Sequence, residues 1–179
     1  MARIPLQTAD SVTGKTAQIF VGLEKALGMV PNSFKAMANS PAVLQGYVGF
    51  SSAMNSAKLS PAIREEIALL VAEQNRCDYC LSAHSALSKL AGLNQNQIDA
   101  ARNAESDDPR ARAALAFAKA VLSTAGGVTD ADVEAVRRAG FSDAELAEIV
   151  AAVAINVLTN LFNRTFQVDI DFPVVHSKG

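Results

Sequence analysis

Tryptophan is absent from this 179-residue chain, and aromatic residues make up only 6% of it. Strands favour aromatic and β-branched residues, whereas alanine and leucine carry most of the apolar content here, which suits closely packed helices. Excess charge is also missing, because the formal net charge is −2 and no basic block occurs. This balance argues against a nucleic-acid-binding surface and against a membrane-surface patch.

Long apolar runs are equally scarce. The first ten residues, MARIPLQTAD, lack the apolar stretch of a signal peptide. The most apolar segment, 146–162, is interrupted by Glu148, Asn156 and Asn160. It is therefore predicted to be a buried core helix, since a membrane span needs roughly 20 uninterrupted apolar residues. We expect a cytoplasmic protein that makes no contact with membranes.

The length suits a single domain, 1–179, and the sequence predicts an all-α fold with no convincing strand. Capping residues mark four helix starts, at Ser60 (followed by Pro61), Asn94, Thr129 and Ser142. Further helices are expected over 16–28, 41–56 and 109–124. The tail from about residue 165 onwards is predicted to be extended and to lie against the body or a neighbouring subunit.

An internal repeat relates the two halves of the chain. A shift of 82 residues (60 to 142) lays LSPAIREEIALLVAEQNRC over FSDAELAEIVAAVAINVLT, which predicts two similar helical hairpins packed face to face. Chance likeness between alanine-rich helices is the alternative. Thr159 and Phe162 take the places of Cys77 and Cys80 in the second copy. Thiol chemistry is thus expected only in the first half, 35–105, and the second half, 108–165, is expected to be scaffold.

Both cysteines and one of the two histidines fall within the segment EQNRCDYCLSAH. Asn75 and Arg76 form a weak break, so a helix is expected to begin at or just before Cys77. Cys77, Cys80 and His84 then project from one side of that helix. Free backbone N–H groups and the helix dipole favour a thiolate in the first turn, and His84 is placed to accept the proton of Cys80. Cysteines three residues apart can also form a reducible disulfide.

Other interpretations of the cysteine pair stay open. Two thiolates and an imidazole are good zinc ligands, but a tetrahedral site needs a fourth, for which His176 and the carboxylates are the candidates. A purely structural disulfide across two residues would remove little loop entropy, and buried cysteines without a role are the remaining alternative. A redox site without metal or cofactor is the preferred prediction.

The spacing Glu, eleven residues, Cys-x-x-Cys, three residues, His resembles the motif of the alkylhydroperoxidase D-like (AhpD-like) branch of the carboxymuconolactone decarboxylase superfamily. Glu65, Cys77, Cys80 and His84 fill the pattern here, after LSPAIRE, and the likeness covers roughly 35–170. The segment NRTFQVDIDFP also resembles the end of the peroxidase-related members. This resemblance implies an AhpD-like multi-helical fold and a homo-oligomer, either a trimer or a hexamer.

The resemblance also implies an antioxidant activity, the reduction of small hydroperoxides through a dithiol–disulfide cycle. Cys80 would attack the O–O bond and become a sulfenic acid, and Cys77 would resolve it to a disulfide. His84 would draw the proton from Cys80, and Glu65 would complete a proton relay through water, with Glu66 as the alternative. No cofactor is expected. An external thiol, such as a lipoyl-bearing or thioredoxin-like protein, would reduce the disulfide.

Two residues depart from the family pattern. Tyr79 stands where the best-known members have a second histidine, and Arg76 stands where the family often has glycine. The Arg76 guanidinium could favour a thiolate or attract an anionic substrate, and a solvated turn residue is the alternative. Two rival functions follow from the mixed superfamily. One is a cofactor-free lyase of the carboxymuconolactone decarboxylase type, and the other is a non-catalytic oligomer that is zinc-stabilised or redox-sensing.

Several other side chains could contribute to the site. The aromatic residues could line a substrate pocket, although core packing is the simpler interpretation; they are Phe34, Tyr47, Phe50, Phe117 and Phe162. Asn160 and Asn163, near the cysteine-equivalent positions of the second copy, could orient a substrate as buried amides. Helix capping or exposure to solvent is the simpler account of both.

Overall fold

The computed structural model describes residues 1–178. Within that range the chain forms nine α-helices and one short 3₁₀ turn (Ala9–Ser11), with no strand. The helices are α1 (Gly14–Leu27), α2 (Asn32–Met37), α3 (Pro41–Met54), α4 (Pro61–Gln74), α5 (Asp78–Leu90), α6 (Gln95–Ala101), α7 (Pro109–Ser123), α8 (Asp130–Arg138) and α9 (Asp143–Phe166). The all-α prediction is confirmed.

The helix starts predicted from capping residues all form. Ser60 accepts the Ile63 N–H, and reciprocal capping boxes open α6, α8 and α9 at Asn94, Thr129 and Ser142. The helices expected over 16–28, 41–56 and 109–124 are α1, α3 and α7, with ends shifted by at most two residues. Only α2 has no counterpart in the prediction, because a helix this short shows too little periodicity.

The repeat relates α4 to α9, and these two helices pack against each other in the core. Beyond them the two copies differ. The first copy breaks at Asn75 and Arg76 and turns into α5, whereas α9 continues without a break to Phe166. A second hairpin turning at the matched position is therefore the part of the prediction that was wrong. Val157 and Leu158 occupy the positions of Asn75 and Arg76, and these apolar residues let the helix continue.

The main core lies between α4, α5, α7 and α9, and a smaller cluster around Phe20, Met37 and Leu44 joins α1 to α3. By length and composition alone, α9 is apolar enough to cross a membrane. Eight of its side chains are buried against the other helices, including Asn156, Asn160 and Asn163, so the prediction of a core helix over 146–162 is confirmed.

The C-terminal tail leaves α9 after Phe166 and runs without regular structure over the surface of α5. The Val175 N–H donates to Ser82 Oγ at 2.9 Å, and the Ser177 N–H donates to Asp78 Oδ1 at 2.9 Å. The prediction that the tail lies against the body is thus confirmed, and the tail covers the N-terminal end of the cysteine-bearing helix.

Candidate active site

The two cysteines lie at the start of α5, directly after the break in the first copy. Arg76 adopts a left-handed backbone conformation, with φ of 52°, which ends the path of α4. Cys77 is the N-cap residue of α5, and its Sγ accepts the Cys80 N–H at 3.3 Å. The cysteines form a disulfide with their Cα atoms 5.3 Å apart, and both residues are buried. The structure therefore shows the oxidised state of the pair.

His84 lies one helical turn after Cys80, and Glu65 reaches it from α4. The distance between His84 Nδ1 and Glu65 Oε2 is 2.8 Å, and both side chains are about one-fifth exposed. Glu66 faces a different part of the protein, where it is buried beside Ser106 Oγ at 3.5 Å. Burial raises the pKa of Glu66 to about 7. Of the two neighbouring acids, Glu65 is therefore the one that contacts the histidine.

A cavity of about 240 Å³ opens beside these groups. Cys80, His84 and Glu65 lie in its wall, and the rest of the lining is mainly apolar or aromatic, including Leu27, Phe34, Tyr47, Ala83, Leu87 and Phe172. Of the aromatic residues considered from the sequence, Phe34 and Tyr47 line this cavity. Phe117 and Phe162 pack in the hydrophobic core, and Phe50 is exposed.

Asn163, from the second copy, contacts the sulfur of Cys80. Its Nδ2 donates to Cys80 Sγ at 3.4 Å, and its Oδ1 accepts from Ser33 Oγ at 2.7 Å. Both Asn163 and Ser33 are buried. In this orientation the amide oxygen faces the Ser33 hydroxyl and the amide N–H groups face the sulfur. Asn163 was considered from the sequence as an amide that could orient a substrate, and its contact with the sulfur was not predicted. Ser33, which lies on the short α2, was not predicted at all.

Tyr79 forms a hydrogen-bond network instead of supplying a second base. Its hydroxyl accepts the Ser33 N–H at 3.0 Å and donates to Asp171 Oδ1 at 2.9 Å. Burial raises the pKa of Tyr79, so the hydroxyl stays protonated. Asp171 also accepts the Asn32 N–H at 2.7 Å. The network fastens α2 and the tail to the cysteine-bearing helix.

His176 lies away from the cavity, on the exposed tail, where its Nδ1 is 2.7 Å from Asp78 Oδ2. The structure thus gives it a contact that holds the tail, outside the cysteine–histidine cluster. Among residues 1–178, no group of three or more histidine, cysteine, aspartate or glutamate side chains is placed to hold a metal ion.

Comparison with known proteins finds one similar family and several similar structures. The carboxymuconolactone decarboxylase family matches residues 41–120. The AhpD-core, peroxidase-related protein from Ralstonia eutropha JMP134 is 27% identical with a TM-score of 0.87, over 95% of this chain and 92% of that chain. A peroxidase-related protein from Silicibacter sp. TM1040 is 26% identical with a TM-score of 0.85, over 94% of this chain and 91% of that chain.

A third similar structure is that of a cysteine-to-alanine variant of the debrominase Bmp8 in complex with 2,3,4-tribromopyrrole. It is 25% identical with a TM-score of 0.78, over 94% of this chain and 91% of that chain. No curated protein matches the chain. The family match, the near-complete structural matches and the motif agree, and together they support the assignment of the chain to the AhpD-like/carboxymuconolactone decarboxylase superfamily.

Proposed function

We propose that this protein is a thiol-dependent peroxidase that reduces small organic hydroperoxides through a Cys77–Cys80 dithiol–disulfide cycle. The observation that supports it most is the shared cavity wall of Cys80 and His84, with Glu65 2.8 Å from the imidazole. A nucleophile, a base and a group that orients the base are the parts that thiol activation requires. The second thiol, already bonded to the first, supplies the resolving step.

The cycle starts from the reduced pair. The Cys80 thiolate attacks the terminal oxygen of the hydroperoxide, the O–O bond breaks, and the alkoxide leaves as an alcohol with a proton from His84. Cys80 becomes a sulfenic acid. The Cys77 thiol then attacks the oxidised sulfur, which releases water and forms the disulfide seen here. A dithiol reductant returns both cysteines to thiols.

The cavity supports a small, apolar substrate. Its volume of about 240 Å³ lies below the range typical of drug-sized ligands, and aliphatic and aromatic side chains form most of its lining. We place the reaction in the cytoplasm, where reducing partners regenerate dithiols. We further propose a trimer or hexamer, which the exposed apolar side chains Val150, Leu158 and Leu161 on α9 support.

The test counts free thiols while one equivalent of an organic hydroperoxide is added to the reduced protein. The wild type should lose two thiols and recover them with a dithiol. Cys77→Ser should stop at a sulfenic acid, and Cys80→Ser should not react. If both thiols of the wild type persist, the peroxidase proposal is wrong, and lactone decarboxylation becomes the reaction to assay.

Reductive debromination is a second candidate, favoured by the aromatic lining of the cavity and by the similarity to the debrominase Bmp8. In this reaction two thiols and an aryl bromide would yield the disulfide, the debrominated ring and hydrogen bromide. Bromide release from 2,3,4-tribromopyrrole without peroxide, dependent on Cys80, would favour this candidate. Hydroperoxide reduction without bromide release would exclude it.

A further inference from the structure

The two cysteines line different cavities. Cys80 faces the 240 Å³ cavity with His84, whereas Cys77 lines a separate cleft of about 460 Å³, which we name the Cys77 cleft. Its other lining residues include Arg76, Asp78, Arg164, Gln167 and Ile170. Tyr79 and Asn163 line both spaces and form the wall between them. A ligand can therefore approach each cysteine from its own side.

The Cys77 cleft carries positive charge. Arg76 and Arg164 are exposed, and neither forms an ion pair with any residue between 1 and 178. The acid in the lining, Asp78, is already occupied. One of its oxygens accepts from the Ser177 N–H and hydroxyl, and the other contacts His176. Two cations therefore remain available to an incoming anion.

Arg76 adopts a backbone conformation that is unfavourable for a residue with a side chain. Its φ of 52° lies in the left-handed region, which glycine adopts with little penalty and arginine does not. Ala104, Ala125 and Gln167 also have positive φ, so the conformation of Arg76 matters here for where it places the side chain. This conformation accompanies the position of Arg76 in the lining of the cleft, next to Cys77.

The position of the disulfide favours attack on Cys77 from the cleft. Each sulfur accepts one N–H, from Asn163 to Cys80 Sγ at 3.4 Å and from Cys80 to Cys77 Sγ at 3.3 Å, so either thiolate is stabilised as a leaving group. The Cys77 cleft is lined by Cys77 and not by Cys80, so a thiolate that enters there meets Cys77 Sγ and expels Cys80. We propose that the Cys77 cleft is the entry site of an anionic dithiol reductant, separate from the cavity that admits the substrate. The inference rests on the proposed function only for the reaction that forms the disulfide.

The exchange balances as follows. One thiolate of the reductant bonds to Cys77 Sγ, the Cys77–Cys80 bond breaks, and Cys80 leaves with the electron pair. The second thiol of the reductant then attacks the first sulfur of the reductant, which is bonded to Cys77. This forms a disulfide within the reductant and releases Cys77. Two electrons pass from the dithiol to the protein, and the two thiol protons of the reductant end on the two cysteines. Because Cys77 is only 1% exposed, the reductant must carry its thiols on a slender chain.

The test compares dihydrolipoate, which is anionic, with dihydrolipoamide, which has the same dithiol chain and no charge. The protein is first oxidised with diamide, so that no peroxide step is involved, and newly formed thiols are alkylated and counted by mass. We expect the anionic dithiol to react about fivefold faster at low ionic strength. The ratio should fall towards one in about 0.5 M NaCl.

Variants identify the cations and the attacked sulfur. The Arg76→Gln/Arg164→Gln double variant should lose the charge preference. Arg138→Gln, which removes an exposed arginine outside the cleft, should keep it. With the anionic monothiol 2-mercaptoethanesulfonate, tandem mass spectrometry should locate the mixed disulfide on Cys77.

A rate ratio near one in the wild type, a preference that survives the double variant, or an adduct on Cys80 would each overturn the inference. The outcome is independent of the proposed function. A charge-selective reduction of the disulfide in a protein that consumes no hydroperoxide would retain this site and reject the peroxidase. A working peroxidase that reacts at equal rates with the two dithiols would retain the peroxidase proposal and reject this entry site.

Discussion

The broken helix of the first copy and the unbroken helix of the second copy divide the chemistry between them. α4 stops at Gln74, and the chain restarts as α5 at Asp78, which leaves free N–H groups and a positive helix end beside the cysteines. α9 passes the matched positions as continuous helix, so its N–H groups there are bonded within the helix. The break, rather than the helical pair, is thus what places the cysteines at a helix N-terminus.

The unbroken copy nevertheless contributes to the site. Thr159, which takes the place of Cys77, lines the 240 Å³ cavity, and Asn163 donates to the Cys80 sulfur from the same helix. In the proposed mechanism the first copy supplies the nucleophile and the base, and the second supplies Asn163, which contacts the sulfur of the nucleophile. Variants at matched positions of the two copies can therefore distinguish residues that react from residues that only position them.

The largest effect is expected at the cysteine positions. Cys80→Ser should lower the rate of hydroperoxide reduction by about a thousandfold or more, because a hydroxyl at neutral pH is a far weaker nucleophile than a thiolate. Cys77→Ser should stop after one turnover. Thr159→Ser, at the position matched to Cys77, should keep its rate within about threefold, since it removes one methyl group. Steady-state peroxide consumption measures all three variants. A fully active Cys80→Ser variant would contradict the assignment of the nucleophile to the first copy.

The next effect separates two neighbouring acids. Glu65→Gln should lower the rate by about a hundredfold, because it removes the carboxylate that orients His84 and supports its charge. It should also change the pH–rate profile, which a merely structural change would not do. Glu66→Gln, one residue along and facing away from the cavity, is the matched control. Equal rates for the two variants would assign the relay to neither residue.

Glu66 should instead control the pH dependence of stability. Its pKa is raised by burial from 4.5 to about 7, so the folded state binds more protons than the unfolded state between these values. The free energy of unfolding should therefore decrease as pH rises through this window, by roughly 2 kcal/mol. Glu66→Gln should remove that slope, as measured by urea unfolding at several pH values.

The repeat supplies a control for this slope. Glu148 is the counterpart of Glu66 in the second copy, and it accepts the N–H groups of Lys58 and Leu59 at 3.0 and 2.8 Å. Glu148→Gln should lower stability at all pH values and leave the slope between pH 4.5 and 7 in place. A slope that persists in Glu66→Gln would mean that another group titrates.

The sequence predicted the parts of this arrangement that depend on local patterns. Ser60 and Asn94 cap their helices through neighbours three residues away, and the cysteine–histidine spacing fixes one side of α5 in the same local way. Ser33 and Asp171 could not be found like this. They reach Asn163 and Tyr79 across 130 and 92 residues, and no periodicity connects such distant segments.

The Asn163 contact should have a moderate effect. Asn163→Ala removes the amide that donates to Cys80 Sγ, so it should slow alkylation of the reduced Cys80 at fixed pH by about tenfold, as expected for one hydrogen bond to a charged group. Asn160→Ala truncates another buried amide of α9, one that accepts from Asn75 and does not contact the sulfur. Its Cys80 alkylation rate should stay near that of the wild type. Iodoacetamide kinetics followed by mass spectrometry distinguish the two variants.

The smallest effect concerns the break, and here the two copies should respond with opposite signs. Arg76→Gly relieves the left-handed conformation at φ of 52°, and after the extra unfolded-state entropy of glycine it should raise the free energy of unfolding by about 0.5 to 1 kcal/mol. Leu158→Gly, at the matched position inside α9, should lower it by about 1 kcal/mol or more, since glycine weakens a helix interior. Urea unfolding of the oxidised proteins measures both. A loss of stability in Arg76→Gly would mean that the arginine side chain supports the break through contacts that outweigh its backbone strain.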